Sequence, residues 1–339
     1  MWDWRQLRWM NLWGWWPQSV KHHRTRVLMR AYGFFLFTVD IITMVAEVAS
    51  LYIAVSKGSF RGAIINIVTT TLGVMALQKI YTILFYHKFI THVVDTLEDL
   101  NNRAVVLMGD DCQVTMEYRE KRCKVTFIFV GLSIFTIIHW NWLHIAAAIY
   151  GKVVFDSFIL SCFEMMLAEF DVLKVAFKKI DFASENSPVS LNFCIKFHQD
   201  LMRLIVRMDS FLIPIQTTQC VMFTLNICFA VFEMLSLSQV SLNKTLNLGE
   251  VILAGGYILF GYCYQCHCVT EQCTEIITAA CDNNWYEGKI ADQKSLLIFL
   301  ERAKRPISFG SIIKFDLGCF IAVVKTAFSY YQVLTAFDI

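Results

Sequence analysis

The sequence predicts an all-α polytopic membrane protein with seven transmembrane helices, a cytoplasmic N-terminus, an extracellular C-terminus and a cytoplasmic amphipathic helix before the last span. Three observations predict it: an apolar composition, seven apolar runs of spanning length, and an uneven distribution of lysine and arginine. Of 339 residues, 56% are hydrophobic, 14% aromatic and only 17% charged. Soluble domains run at about 25% charged and 45–50% apolar. Mean hydropathy is +0.50. The net charge of +2 lacks the basic face that nucleic acid requires, so the expected surroundings are a lipid bilayer and no nucleic acid. Four prolines and 15 glycines exclude a low-complexity or collagenous chain.

The first element is an interfacial segment. Residues 1–17 hold six of the nine tryptophans (Trp2, Trp4, Trp9, Trp13, Trp15 and Trp16) with Arg5 and Arg8 among them. Tryptophan beside arginine favours the headgroup zone, and no aliphatic core marks a cleavable signal. Packing of the same segment on protein is the competing reading. Apolar runs then follow at 31–54, 62–86, 125–147, 152–172, 211–240, 248–274 and 312–337, each near the ~20 residues that a membrane helix needs. Residues 125–172 form one long apolar stretch, and Gly151-Lys152 is its best internal turn. With the N-terminus inside, the inner segments hold 23 of the 30 basic residues, which sets the orientation by the positive-inside rule. The organisation that follows is an interfacial segment (1–30), a six-helix transmembrane bundle (31–274), a cytoplasmic segment with its own helix (275–311) and a last span (312–339). Asn243-Lys244-Thr245, the one N-x-Thr sequon, falls in an outer loop. Seven-span G-protein-coupled receptors have the opposite orientation, and their Asn-Pro-x-x-Tyr ending is missing here.

Polar residues inside apolar runs carry the functional information. Lys325, Ser329, Gln332 and Ala336 recur on one stripe of the last span, with Thr326, Tyr330, Val333 and Phe337 beside it. A lysine costs ~2.5–3.5 kcal/mol at the centre of a span, so this stripe should face water or protein. If several copies met around an axis, Val333 and Phe337 would form an apolar ring able to gate ions by dewetting; an ordinary helix interface is the alternative. Asp40 and Glu47 share a face of the first span, as do Glu164 and Asp171 of the fourth. Coupling acids of a proton-driven transporter would sit so. Interior packing accounts equally for the first pair, and pairing with Lys174, Lys178 and Lys179 for Glu169 and Asp171. Cys263-x2-Cys266-His267-Cys268-x4-Cys273 has some zinc-like spacing but lies inside a span, where packed thiols are expected. No metal, cofactor or enzymatic motif is read. Residues 285–306 form an amphipathic cytoplasmic helix stopped by Pro306, its apolar face carrying Trp285-Tyr286, Leu296-Leu297, Leu300 and Ala303.

Several of these blocks resemble the insect odorant receptors. The likeness is densest over residues 265–337. Thr270-Glu271-Gln272 is followed by Cys281-Asp282-Asn283-Asn284-Trp285-Tyr286 and by Leu296-Leu297-Ile298-Phe299-Leu300-Glu301-Arg302-Ala303-Lys304-Arg305-Pro306. The closing Lys325-Thr326-Ala327-Phe328-Ser329-Tyr330-Tyr331 looks like the family's K/R-T-A-Y-S-Y-F. Weaker likeness covers Leu12 to Pro17 and 191–236, including His198-Gln199-Asp200.

The resemblance implies a tuning subunit of an odorant-gated non-selective cation channel in the plasma membrane of olfactory neurons. It would be one of four subunits, assembled with the shared odorant co-receptor. The last span would line the pore, with Tyr330, Gln332, Val333, Ala336 and Phe337 at the gate. Trp285, Tyr286, Leu297, Leu300, Arg302 and Pro306 would serve as the subunit anchor. A small volatile apolar ligand would bind among Ile65, Val68 and Thr69 of the second span, Ile149, Val153 and Phe155 of the fourth, and Val251 and Ile252 of the sixth. The chain departs from the family in the nearly absent loop between spans three and four. Ala336 also stands where the co-receptor has a more polar residue. The related gustatory receptors are the nearest alternative reading; the arginine-proline block before the last span favours smell. From other classes come a G-protein-coupled receptor and a proton-coupled transporter.

Overall fold

The computed structural model describes residues 23–108, 143–184, 189–235, 242–305 and 307–336. Among them the architecture is all-α: α1 (His23–Ser56), α2 (Phe60–Phe85), α3 (His87–Met108), α4 (Leu143–Lys178), α5 (Leu191–Leu235), α6 (Leu242–Cys281), a 3₁₀ turn (Trp285–Glu287), α7 (Ile290–Ala303) and α8 (Leu317–Ala336). At 1.5 Å per residue the 45 residues of α5 span about 68 Å and the 40 of α6 about 60 Å. A bilayer's hydrocarbon core is about 30 Å thick, so these helices project well beyond it.

The α1–α2 corner turns on Gly58, whose φ of 66° is open to glycine and costly for other residues. Ser59 then caps α2 by accepting from the Gly62 N–H. Only Tyr86 separates α2 from α3, a helix within the expected inner segment. Ile90, Val93, Leu97, Leu100 and Ala104 of α3 repeat every three or four residues and are buried, giving it one apolar face and one solvated face. α4 runs down the centre, packing against α2, α3, α5 and α6. α8 lies on α5 and α6.

Two expectations need correction. The Gly151-Lys152 turn does not exist: both residues are helical within α4. Glycine weakens a helix by only about 1 kcal/mol relative to alanine, which an otherwise apolar 36-residue helix absorbs. The anchor helix is shorter than 285–306, running from Ile290 to Ala303 with Lys304 as its C-cap. Trp285 and Tyr286 belong to the preceding 3₁₀ turn, and Pro306 lies outside the described residues.

Among the described residues, three helices are long and apolar enough to cross a membrane, namely Val27–Ser56, Gly62–Phe85 and Leu191–Glu233, with Leu317–Val333 a shorter apolar helix. Two further helices take up expected spans but are diluted by polar residues. Asp156, Glu164 and Glu169 interrupt α4, and Tyr257, Tyr262, Gln265 and His267 interrupt α6. The third expected run, 125–147, falls mainly outside the described residues.

Candidate functional site

The centre of the bundle holds a buried ion pair. Lys79 of α2 and Asp156 of α4 are almost completely buried, with Lys79 Nζ 2.6 and 2.7 Å from the two Asp156 carboxylate oxygens. The third ammonium hydrogen has its acceptor in Gln219 Oε1 of α5 at 2.9 Å. Tyr262 of α6 donates its hydroxyl to Asp156 Oδ1 at 2.7 Å. Four helices thus meet at one satisfied charge pair. An ammonium has three donors and no acceptor, so this network accounts for every N–H of Lys79. Its removal from water is costly, and the mutual attraction offsets that cost only with complete hydrogen bonding.

Sequence reasoning missed this network, although Lys79 alone signalled it. A lysine inside an apolar run requires an acid from another run, and Asp156, 77 residues away, supplies it. The acids the sequence did single out behave differently. Asp40 is buried and Glu47 half-buried on the side of α1 that faces α2, where Glu47 approaches Gly73. Glu164 accepts from Gln265 of α6. Asp171 pairs with Lys174, which also reaches Glu275 of α6. Lys178 pairs with Asp282 rather than with Glu169, which is fully buried. Cys263, Cys266 and Cys273 are buried in the helical core.

The α2–α5 seam continues the polar theme outward from the ion pair. The Thr71 hydroxyl lies 2.7 Å from Asn226 Oδ1. Gln78 donates to the Pro214 carbonyl and to the Thr218 hydroxyl. Pro214 has no N–H to continue the ladder of α5, and its own carbonyl is the hydrogen-bonding handle here. Of the expected ligand residues, Val68, Val153 and Phe155 are buried in the bundle. Thr69 is half-buried with its hydroxyl on the Asn66 carbonyl, and Val251 and Ile252 are half-buried on α6. The side chains of Ile65 and Ile149 are outside the described set.

The last helix packs on its own chain through a narrow face. Cys319 and Ala327 are buried, Val323 packs partly against the core, and Phe320 meets Phe260 edge-on at 5.5 Å. Lys325, Thr326, Ser329 and Gln332 are exposed, and Tyr330 and Val333 are 54% and 51% exposed. Ala336 ends the helix; its side chain and all of Phe337 lie outside the described residues. Within one chain, therefore, Lys325, Ser329 and Gln332 of the stripe face outward, with Tyr330 and Val333 beside them.

At the far end, α7 docks through Leu296, Phe299 and Ala303, which are buried, and through the partly buried Leu300. Phe299 packs on Phe177 of α4 and edge-on to His198 of α5. Of the expected apolar face, Leu296, Leu300 and Ala303 turn inward together with Phe299, whereas Leu297 is 60% exposed. Helical rotation of about 100° per residue separates 296 from 297, while 296, 299, 300 and 303 share a side. Trp285 and Tyr286 are 40% and 64% exposed, and Arg302 is exposed beside His198. The Asn283-Asn284 pair has a clear structural role. Asn283 donates to the Phe177 carbonyl, while Asn284 accepts from the Phe182 N–H and donates to Asp181. Together they fasten the end of α6 to the end of α4. Gly310, at φ 84°, donates its N–H to Asp209; a side chain there would run into the Ile313 carbonyl.

Comparison with known proteins gives this arrangement a family. The family model described as 7tm odorant receptor matches residues 132–328, more than half of the chain. Odorant receptor 42b of Drosophila melanogaster is 30% identical over 24% of this chain and 21% of its own length. Odorant receptor 10 of Aedes albopictus is 25% identical over 44% of this chain and 40% of its own. The matches thus span about a fifth to two fifths of these relatives. The solved structure of the insect olfactory receptor OR5 from Machilis hrabei superposes over 97% of this chain and 96% of its own. Its TM-score is 0.83 at 16% identity. The same receptor in complex with eugenol superposes over 98% and 97%, with a TM-score of 0.84 at 15% identity.

Proposed function

From the premise that this chain belongs to the odorant receptor family, which is a family of membrane proteins and not of enzymes, we propose that it is a tuning subunit of an odorant-gated cation channel. The observation that carries this reading is the outward placement of the α8 stripe. A lysine-bearing strip on an otherwise apolar helix needs water or another protein surface, and its own chain covers only the opposite face. Assembly with the odorant co-receptor around a common axis would turn Lys325, Ser329 and Gln332 toward an aqueous path. Val333, with Phe337 beyond it, would supply an apolar constriction that blocks ions when dry.

Seven crossings with the N-terminus inside place α3, α7 and the long ends of α5 and α6 in the cytoplasm, in accord with the basic residues concentrated in 87–124, 173–210 and 275–311. The 285–303 region, with Trp285, Tyr286 and Leu297 exposed, would then serve as a subunit anchor. The ligand is a small volatile held among the expected residues of α2, α4 and α6. The eugenol complex of the superposed receptor supports a small volatile ligand. Opening requires only that the ligand bind the open form more tightly than the closed one. The cellular site is the plasma membrane of an olfactory neuron.

The test is expression of this chain with and without the co-receptor, with currents recorded against an odorant panel. The expected result is cation current only from the pair, with altered leak or conductance in Val333→Ala. Substrate uptake by the chain alone would favour a transporter built on the Lys79–Asp156 pair and overturn the channel reading. An extracellular tag at the C-terminus that stays unlabelled on intact cells would overturn the orientation.

A further inference from the structure

Gln219 occupies a position that the ion pair alone does not explain. Its amide is bound at one end only. Lys79 is a pure donor, so the amide must present its oxygen to Nζ. That fixes the orientation of the group and turns Nε2 away from the ion pair. Gln219 is 98% buried, and Nε2 has no hydrogen-bond partner among the described residues. One turn earlier on α5, Gln216 is equally buried and its Oε1 is likewise without a partner among them. A buried donor left unmade is costly, and more so where no water competes.

One turn beyond Gln219, Phe223 lies against Gly255 and Gly256 of α6, so closely that a Cβ on Gly255 would come within 2.6 Å of the ring. The two glycines therefore seat an aromatic wall beside the polar group. Asp156 accepts from Lys79 through both carboxylate oxygens and from the Tyr262 hydroxyl. With every N–H of Lys79 and the Tyr262 hydroxyl engaged, the Gln219 amide N–H is the donor of this network that has no acceptor among the described residues.

We propose that Gln219 Nε2 is the polar contact for the ligand, donating to an acceptor oxygen on a volatile that is otherwise apolar, as in a ketone, ester or ether. The inference rests on the receptor reading above and deepens it by naming the ligand class. It assigns to α5 a specificity-determining residue that the expected pocket, drawn from α2, α4 and α6, did not include. Hydrocarbons of the same length would fill the same space but leave the amide unpaired.

The discriminating variant is Gln219→Glu. It is nearly isosteric, keeps an oxygen for Lys79 and replaces the free donor by an acceptor. The full chain in nanodiscs is titrated calorimetrically with 2-heptanone and with n-heptane, empty nanodiscs being subtracted. The expected result is that 2-heptanone binds the parent chain at least tenfold more tightly than n-heptane. Gln219→Glu should weaken 2-heptanone about tenfold or more while changing n-heptane less than threefold. The n-heptane value doubles as the check on folding, and Gln219→Met, which also lacks the donor, should repeat the pattern. Equal affinities in the parent chain, equal loss of both ligands, or no binding of either would overturn the proposal. If 2-heptanone binds as described but the pair with the co-receptor passes no current, the channel reading fails and the ligand contact stands. If odorant currents are present and indifferent to Gln219→Glu, the ligand contact fails and the channel stands.

Discussion

The first and fourth helices are both long and apolar, yet the fold uses them in opposite ways. α1 has the highest mean hydropathy of the candidate spans, 1.9, but only 6% of that window is buried. Val27, Leu28, Phe35, Ile42, Val45 and Tyr52 all point outward. α4 carries Asp156, Ser157, Ser161, Glu164 and Glu169, and it is buried almost without interruption from Val153 to Val172. In water so apolar a window would go inside, and a helix carrying several acids would not. In a bilayer, lipid tails solvate leucine as well as protein does, so helix association rests on packing and polar contacts. Apolarity then selects which segments enter the membrane, while the polar residues select which of them stand at the centre.

The largest expected effect tests that division directly. Asp156→Ala strands the Lys79 ammonium in the bundle and should cost about 3–5 kcal/mol, read as loss of folded protein at the cell surface. The double variant Lys79→Met with Asp156→Leu should recover much of the loss. If it does not, the pair does more than satisfy itself. Phe158→Ala in α4 should cost about 3–5 kcal/mol by opening a cavity. Phe35→Ala in α1 should stay within about 0.5 kcal/mol. Thermal unfolding in one detergent compares the two, and similar shifts would break the contrast.

A third expectation concerns the end of the bundle where α7 docks, which the proposed topology puts in the cytoplasm. Burial, with help from the Arg302 charge, lowers the His198 pKa from its ordinary 6.5 to about 4. The neutral ring is therefore the folded form. Its contribution is complete above pH 6.5 and is lost as the pH falls toward 4, because the unfolded chain takes up the proton first. Between pH 7.5 and 5.5 the loss should be about 1 kcal/mol, and His198→Phe should remove that slope. Proteolysis of the α7 segment against pH measures it. The smallest stability effect belongs to α8. Tyr330→Ala and Val333→Ala should change unfolding of the single chain by less than about 0.5 kcal/mol, because both side chains already face outward. Their effect belongs to the assembled channel.

The sequence was legible where one helix suffices for the argument. The apolar runs mark α1, α2, α6, α8 and the latter part of α5, which begins at Leu191, well before its run at 211–240; the amphipathic character of α7 follows from its own periodicity. It was less legible at breaks. Gly151-Lys152 has turn chemistry, but the helix continues because its neighbours on both sides favour it. α3 was passed over because its apolar residues are spaced for one face rather than gathered in a run. Leu297 and Phe299 illustrate a finer failure: both are apolar, and only docking against Phe177 and His198 shows which one is inside.

By itself the sequence determined the class, most of the spanning runs and the stripe on α8, because hydropathy and helical periodicity act within about twenty consecutive residues. Only the tertiary structure decided which partner each polar side chain meets. Lys79, Asp156, Gln219 and Tyr262 come from four helices. Their convergence depends on how those helices rotate and pack, and the outward turn of the α8 stripe depends on the same choice. Hydropathy cannot encode that choice, since every apolar face is equally at ease against lipid or protein.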